Sequence, residues 1–339
     1  MLENNKCKFY LNRKKTISVF SPCYIIAEIG INHEGDVNKA IVLTKEAFKA
    51  GADAVKFQIV DPDLSYEEKS ISYKLFKKSL LKANEYENLL KKFIHKGDIF
   101  ATPGDLKSLD LCEKLNINFY KISSGLLTNL PLIKEIKKTG KSIILSTGMA
   151  SIEEIKTVVK NIQNKRKNNL AILHCVSVYP AAIGETNLNS IRYLNRKFNV
   201  ITGYSDHVLN YKASLLAVAA GAKIIEKHFT LDNKARGFDH KISLDPKEFK
   251  NMVTEIRKIE KILGKNNKEP TKKELNKKLS LQRFCVASEK IKKGTKFDLN
   301  NIAFKRIINN KDAIRAFDYK KIINKKSNKT FNRGQIIKV

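Results

Sequence analysis

Eight hydrophobic runs in the first 264 residues each end in a small polar cluster: IIAEIG, VKFQ, FATP, YKISSG, IILSTG, ILHCVS, GYSDH and IIEKHFT. They are rich in Ile, Val, Phe and Leu, as buried strands are. Stretches with helical periodicity follow the strands in order, from DVNKAIVLTKEAFKAG and NEYENLLKKFIHKG to YKASLLAVAAG and DPKEFKNMVTEIRKIEKILG. Several of them open on Asp, Asn or Ser, which satisfy free amides at a helix start, and several close on Gly. Strand and helix alternating over about 250 residues predict an α/β protein with a TIM (β/α)8 barrel over residues 1–264, including an N-terminal extension at 1–22. A doubly wound open sheet is the rival, yet no GxGxxG follows the first strand.

After Gly264 the pattern changes. The polar, lysine-rich KNNKEPTKKELNKKL reads as a linker over 265–279, and the short runs in FCVASEKIKKGTKF and FNRGQIIKV predict a small, strand-containing domain over 280–339. The chain is 42% hydrophobic, enough for a large core, and no apolar run approaches the roughly eighteen residues that a membrane span needs. The first twenty residues lack an apolar core and a small-residue cleavage site, so a soluble cytoplasmic protein with no membrane partner is expected. Five cysteines, none in a CxxC pair, fit reduced thiols better than a disulfide framework. The net charge of +31 invites a nucleic-acid reading. However, the lysines recur along every helical stretch rather than gathering in an Arg-rich stripe with aromatics, so they read as solvated faces and no nucleic-acid partner is expected.

In a TIM barrel the chemistry gathers at the carboxyl ends of the strands. Those ends hold Glu28, Lys56, Gln58, Thr102, Lys121, Ser124, Ser146, Ser177, Tyr179, Ser205, His207, Glu226 and His228. Lysines neutralise phosphate as point charges and hydroxyls supply directional hydrogen bonds to its oxygens, so the set points to a phosphorylated anion. His207 and His228 end consecutive strands, and two imidazoles with oxygen ligands or water suit a divalent ion such as Mn, Co or Zn, with Mg less suited to nitrogen. Each residue also has a plainer reading. A strand-end histidine is often only hydrogen-bonded, His33 in INHEG belongs equally to a loop with no role, and Glu28 serves as a lysine partner. Lys56 and Lys121 also admit Schiff-base chemistry.

The strings AEIGINHEG, GADAVKFQ, YKISSG, IILSTGMAS, LHC with YP beyond it, SDH, EKHFT and GFDHKISLDP together resemble the sialic acid synthase family, over about residues 24–264. VASEKIKKGTKFDLNNIAFKR resembles that family's antifreeze-like (SAF) domain. The resemblance implies condensation of phosphoenolpyruvate with an N-acylated hexose (N-acetylmannosamine or a 2,4-diacetamido-2,4,6-trideoxyhexose) to a nine-carbon 2-keto acid. It implies Glu28 as the acidic residue beside the sugar and the attacking water. Lys56, Thr102, Lys121, Ser124, Ser146, Ser177 and Ser205 would hold phosphoenolpyruvate, although Ser177 stands where an asparagine is usual. Gln58, Tyr179 and Asp239 would bind the sugar, and His207 and His228 a divalent metal, Mn with Mg or Co as alternatives. A domain-swapped homodimer would bring Arg306 of the small domain into the partner's site. Leu126 replaces a usual acidic residue, Gly104 a bulky one, and Ile307 and Ile308 the common Pro-Gly. These changes fall mostly on the sugar side. A Schiff-base aldolase and a non-catalytic sugar-binding barrel are the alternatives.

Overall fold

The computed structural model describes residues 7–12, 15–163, 169–237, 239–265, 267–308 and 312–338. A short hairpin comes first, β1 (Lys8–Tyr10) paired antiparallel with β2 (Thr16–Ser18). Eight parallel strands then close into a barrel: β3 (Tyr24–Gly30), β4 (Ala54–Ile59), β5 (Asp98–Pro103), β6 (Phe119–Ile122), β7 (Ser142–Ser146), β8 (Leu170–Cys175), β9 (Ile201–Asp206) and β10 (Ile224–His228). Sequence order is spatial order, and β10 returns to pair with β3, His228 opposite Glu28. The eight-stranded barrel expected from the alternation is the one observed.

Local chemistry explains the elements. Helix α1 (Val37–Lys49) starts where the Asp36 carboxylate accepts from the Asn38 amide at 2.7 Å. Two short helices unforeseen in the sequence reading, α2 (Pro62–Ser65) and α3 (Ile71–Lys78), precede α4 (Ala83–Phe93). After α5 (Leu106–Lys114) and α6 (Leu130–Lys138), the start of α7 (Ile152–Ile162) is fixed by a reciprocal box in which Ser151 and Glu154 satisfy each other's free amides. Then come α8 (Asn189–Phe198) and α9 (Lys212–Ala219), and α10 (Pro246–Leu263) repeats the box with Asp245 and Glu248 and places proline in its first turn. In β9, a side chain at Gly203 would overlap the Ile224 carbonyl, so only glycine lets β9 and β10 approach so closely.

The N-terminal extension carries structure that no strand–helix alternation announced. Phe9, Leu11 and Ile17 of the hairpin are buried in the main core. Around them Asn12, Lys15 and the Tyr24 hydroxyl converge on Asp98, and the Ser142 hydroxyl donates to the Tyr10 carbonyl. Tyr24, Asp98 and Ser142 all begin barrel strands, so the hairpin seals the end where strands start. The opposite end is left for chemistry.

Residues 265–339 form a separate compact unit. Helix α11 (Lys272–Leu281), started by a Thr271–Glu274 box, lies across the stretch expected to be a linker. Strands β11 (Phe284–Ala287) and β12 (Ile302–Lys305) pair antiparallel over a core that includes Cys285, Ile291, Phe297, Ile302, Ile322 and Phe331. Among the described residues no helix is long and apolar enough to cross a membrane, and all five cysteines are free and buried.

Phe9 has no exposed surface, so Phe9→Ala should cost about 3–5 kcal/mol, the range for emptying a buried phenylalanine site. Thermal or denaturant unfolding would measure it, and a loss within about 0.5 kcal/mol, as for a surface site, would show that the hairpin is not part of the cooperative core.

Candidate active site

Strand parity puts residues i and i+2 on one barrel face. In β10 this aligns Glu226 with His228; in β3 the register sets Glu28 opposite Lys56. Four of the inward groups are charged and almost fully buried. Lys56 Nζ lies 2.9 Å from Glu28 Oε2 and 3.8 Å from Glu226 Oε2, while Lys121 Nζ lies 2.7 Å from Glu226 Oε1. Around them, the Ser205 hydroxyl donates to Glu226 at 3.0 Å, Lys56 donates to the Thr102 hydroxyl at 3.3 Å, and the Gln58 amide donates to Glu28 at 3.0 Å.

The environment pulls these groups apart electrically. Burial pushes the Glu28 carboxyl up to about 7, against the pull of Lys56. Burial pushes Glu226 the same way, but Lys121 and Lys56 outweigh it and hold that carboxyl down at about 2. Lys56 is raised because Glu226 and Glu28 overcome its burial, whereas burial wins at Lys121 and lowers it. One carboxylate is therefore a fixed anion and the other sits where a proton moves readily near neutral pH.

A hydroxyl-lined corner lies on neighbouring strand ends. The Gly148 amide donates to Ser124 Oγ at 2.9 Å, and a side chain at Gly148 would collide with Ser177 Oγ, so glycine is what admits both hydroxyls. Ser146 Oγ is buried with no hydrogen-bond partner, an unspent donor facing this region of the strand ends.

The two histidines meet as the sequence required of a metal pair, with ring centroids 5.4 Å apart. His207 Nδ1 lies 2.8 Å from the Val176 carbonyl; that nitrogen donates to it, which leaves Nε2 as the atom that would meet a metal. His228 Nδ1 is buried without a hydrogen bond, 3.7 Å from Asp239 Oδ2, and burial followed by the charge of His207 keeps the ring neutral. Burial opposes charge on His207 as well but does not prevail there, since Cys175 and the Val176 carbonyl raise it, so a divalent ion would meet one neutral ring and would have to displace a proton from the other. Among the described residues no three His, Cys, Asp or Glu side chains gather around one point, so any further ligands would be water or substrate oxygens. Tyr179 stacks at 4.2 Å from the His207 ring, and burial pushes the Asp239 carboxyl up to about 6.

Of the sequence candidates, Arg306 alone belongs to the small unit, where it is exposed. His33 is buried against Phe57, its Nδ1 accepting from the Gly35 amide, which is a loop role. Gly104 makes room for Val60, since an added Cβ would come within 2.7 Å of it, and Leu126 packs on the core. Sequence reasoning gave Glu226 no role although its spacing from His228 marked it as inward. Cys175, 3.6 Å from His207 Nδ1, was read only as a buried thiol.

The folded-state value of about 7 for Glu28 exceeds its ordinary 4.5. Between those pH values the folded chain keeps a proton that the unfolded chain has released, so this contribution to stability is full below about 4.5 and fades as pH rises through 7. The melting temperature of the wild type relative to Glu28→Gln should therefore fall between pH 5 and 8; a pH-independent difference would mean that Glu28 is not raised.

The profile of the NeuB family matches residues 43–268, and that of the SAF domain matches residues 283–338. An uncharacterised protein of Methanocaldococcus jannaschii is 46% identical over 287 residues, 84% of this chain and 85% of its own length. The N,N'-diacetyllegionaminic acid synthase of Campylobacter jejuni is 38% identical over 93% of this chain and 98% of its own length. The crystal structure of the N-acetylneuraminic acid synthetase of Leptospira borgpetersenii, solved with citrate, superposes with a TM-score of 0.76 at 37% identity, covering 80% of this chain and 94% of that one.

Proposed function

The chain belongs to the NeuB family, and we propose that it condenses phosphoenolpyruvate with an N-acylated hexose to give a nine-carbon 2-keto acid and inorganic phosphate. The observation that carries this reading is the pair of buried lysines, each held by a carboxylate, beside a hydroxyl-lined corner and two adjacent histidines. Full-length similarity to a diacetyllegionaminic acid synthase favours a 2,4-diacetamido-2,4,6-trideoxyhexose over N-acetylmannosamine. Leu126, apolar where the family resemblance leads one to expect an acid, is in keeping with an acceptor that lacks a hydroxyl at one position.

The division of labour follows from the geometry. Lys56, Lys121 and Thr102, with Ser124, Ser146, Ser177 and Ser205, bind the carboxylate and phosphate of phosphoenolpyruvate and balance their charge. A Schiff-base lysine must offer a neutral amine; Lys56 is raised by its carboxylates, and Lys121, although lowered by burial, is bonded to Glu226 at 2.7 Å, which favours anion binding. Gln58, Tyr179 and Asp239 orient the sugar so that its aldehyde carbon meets C3 of phosphoenolpyruvate. As the C–C bond forms, positive charge develops at C2, and Glu28 directs a water to that carbon and takes its proton. The C2–O bond then breaks and phosphate leaves. His207 and His228 would hold a divalent ion such as Mn, which supplies Lewis-acid polarisation of the aldehyde when bound. The protein acts as a homodimer in which Arg306 serves the partner's site.

Phosphate release from phosphoenolpyruvate with Mn should require the sugar and occur with 2,4-diacetamido-2,4,6-trideoxymannose, with the product's mass that of a nine-carbon acid. Release without a sugar, or with none of the N-acylated hexoses including N-acetylmannosamine, would contradict the proposal. Glu28→Gln should lower kcat about 10²-fold or more. Mixing Glu28→Gln with Arg306→Ala should restore part of the activity if Arg306 acts in trans; no recovery from a confirmed mixed dimer would refute that part.

A further inference from the structure

Asp239 reaches the site from a loop, not a strand. Its carboxylate lies 3.7 Å from His228 Nδ1, and a Cβ built on Gly30 would stand 3.5 Å from Asp239 Oδ2 and 3.2 Å from Glu28 Oε1. One turn of 3-10 helix, His240–Ile242, is the regular structure beside it. A carboxylate carried this way points wherever its loop is held.

The next residue holds it. His240 is 1% exposed, with both ring nitrogens engaged: Nδ1 is 2.7 Å from Thr230 Oγ1 and Nε2 is 2.8 Å from Glu34 Oε1. Since a carboxylate only accepts, Nε2 donates to Glu34, while Nδ1 pairs with the Thr230 hydroxyl. A side chain at Gly237 would come within 2.7 Å of His240 Cδ2, so the loop closes directly over the ring. A second tie runs beside the first. The Ser243 hydroxyl donates to the Asp239 carbonyl and accepts from Asn32 Nδ2 at 3.1 Å, which also donates to the Phe229 carbonyl. Glu34 comes from the turn after β3, where its φ of +55° is one a non-glycine residue rarely adopts. Its other neighbour, Lys39 at 3.1 Å, sits on α1.

We propose that Glu34 and His240 form a clamp that aims Asp239 at the acceptor sugar, making Glu34 a positioning residue for sugar affinity. The proposal rests on the reading of Asp239 as a sugar ligand. Glu34 is half exposed, so its replacement leaves the core intact, and its effect passes through His240. Because the tie is a hydrogen bond to the imidazole, an acceptor oxygen suffices: glutamine replaces Glu34 and alanine does not.

Three variants test it: Glu34→Ala, Glu34→Gln and Asp239→Asn. Two measurements are made on each, amide hydrogen exchange over residues 239–243 and the separate KM values for phosphoenolpyruvate and 2,4-diacetamido-2,4,6-trideoxymannose. Glu34→Ala should speed exchange and raise the sugar KM about tenfold with the phosphoenolpyruvate KM unchanged. Glu34→Gln should stay close to wild type in both, and Asp239→Asn should raise the sugar KM without speeding exchange. Unchanged exchange in Glu34→Ala, or a glutamine variant as impaired as the alanine one, would overturn the clamp. Faster exchange with an unaltered sugar KM, while Asp239→Asn raises it, would overturn the link to affinity. If Asp239→Asn leaves the sugar KM untouched, the reading of Asp239 fails, and the exchange data still decide the clamp.

Discussion

Two lysine ammonium groups buried inside a barrel are the constraint that the rest of this site answers to. Each costs several kcal/mol to desolvate, at roughly the scale of a whole domain's net stability. The fold meets that cost with Glu226, whose one carboxylate faces both lysines, and with Glu28, which bonds Lys56 from the other side. With both carboxylates ionised the four charges cancel, leaving a cradle whose partners are in place before any ligand arrives. An anion entering it meets donors already oriented, which is the condition under which charge stabilisation is most effective.

The scaffold around the cradle serves that preorganisation. The hairpin of β1 and β2 seals the opposite end of the barrel with Phe9, Leu11 and Ile17, which join the apolar core. On the far side of the same strands, Lys227 and Asp206 form a second fully buried pair 3.5 Å apart, with Lys227 also bonded to the carbonyls of Val208 and Asn210. These residues alternate with His228 and His207, so the pair ties down the chain immediately next to both imidazoles.

Much of this was legible in the sequence because a barrel converts linear order into position. Each hydrophobic run ends at the same face, so Glu28, Lys56, Lys121, His207 and His228 announce themselves by standing where the runs stop. Glu226 was visible among the strand-end residues, but its role was not: it lies one inward position before His228, and its pairing with two lysines comes from other strands. The hairpin was hidden because KFY and TIS are too short to show a period. The run at 272–281 is polar on nearly every side, and its helix declares itself only through the Thr271–Glu274 box. The roles of Glu34 and His240 depend on contacts across about 206 residues of chain, which no local pattern encodes.

If the lysine–carboxylate cradle binds phosphoenolpyruvate, removing one of its lysine charges must weaken that binding. Calorimetric titration of phosphoenolpyruvate into the wild type and into Lys121→Gln, both without sugar, tests it most directly. The account predicts saturable one-to-one binding per chain that weakens at least about tenfold in the variant, the loss expected for one charge-assisted contact, while the fold is retained. Equal affinity in the two proteins, or no binding to the wild type, would contradict it.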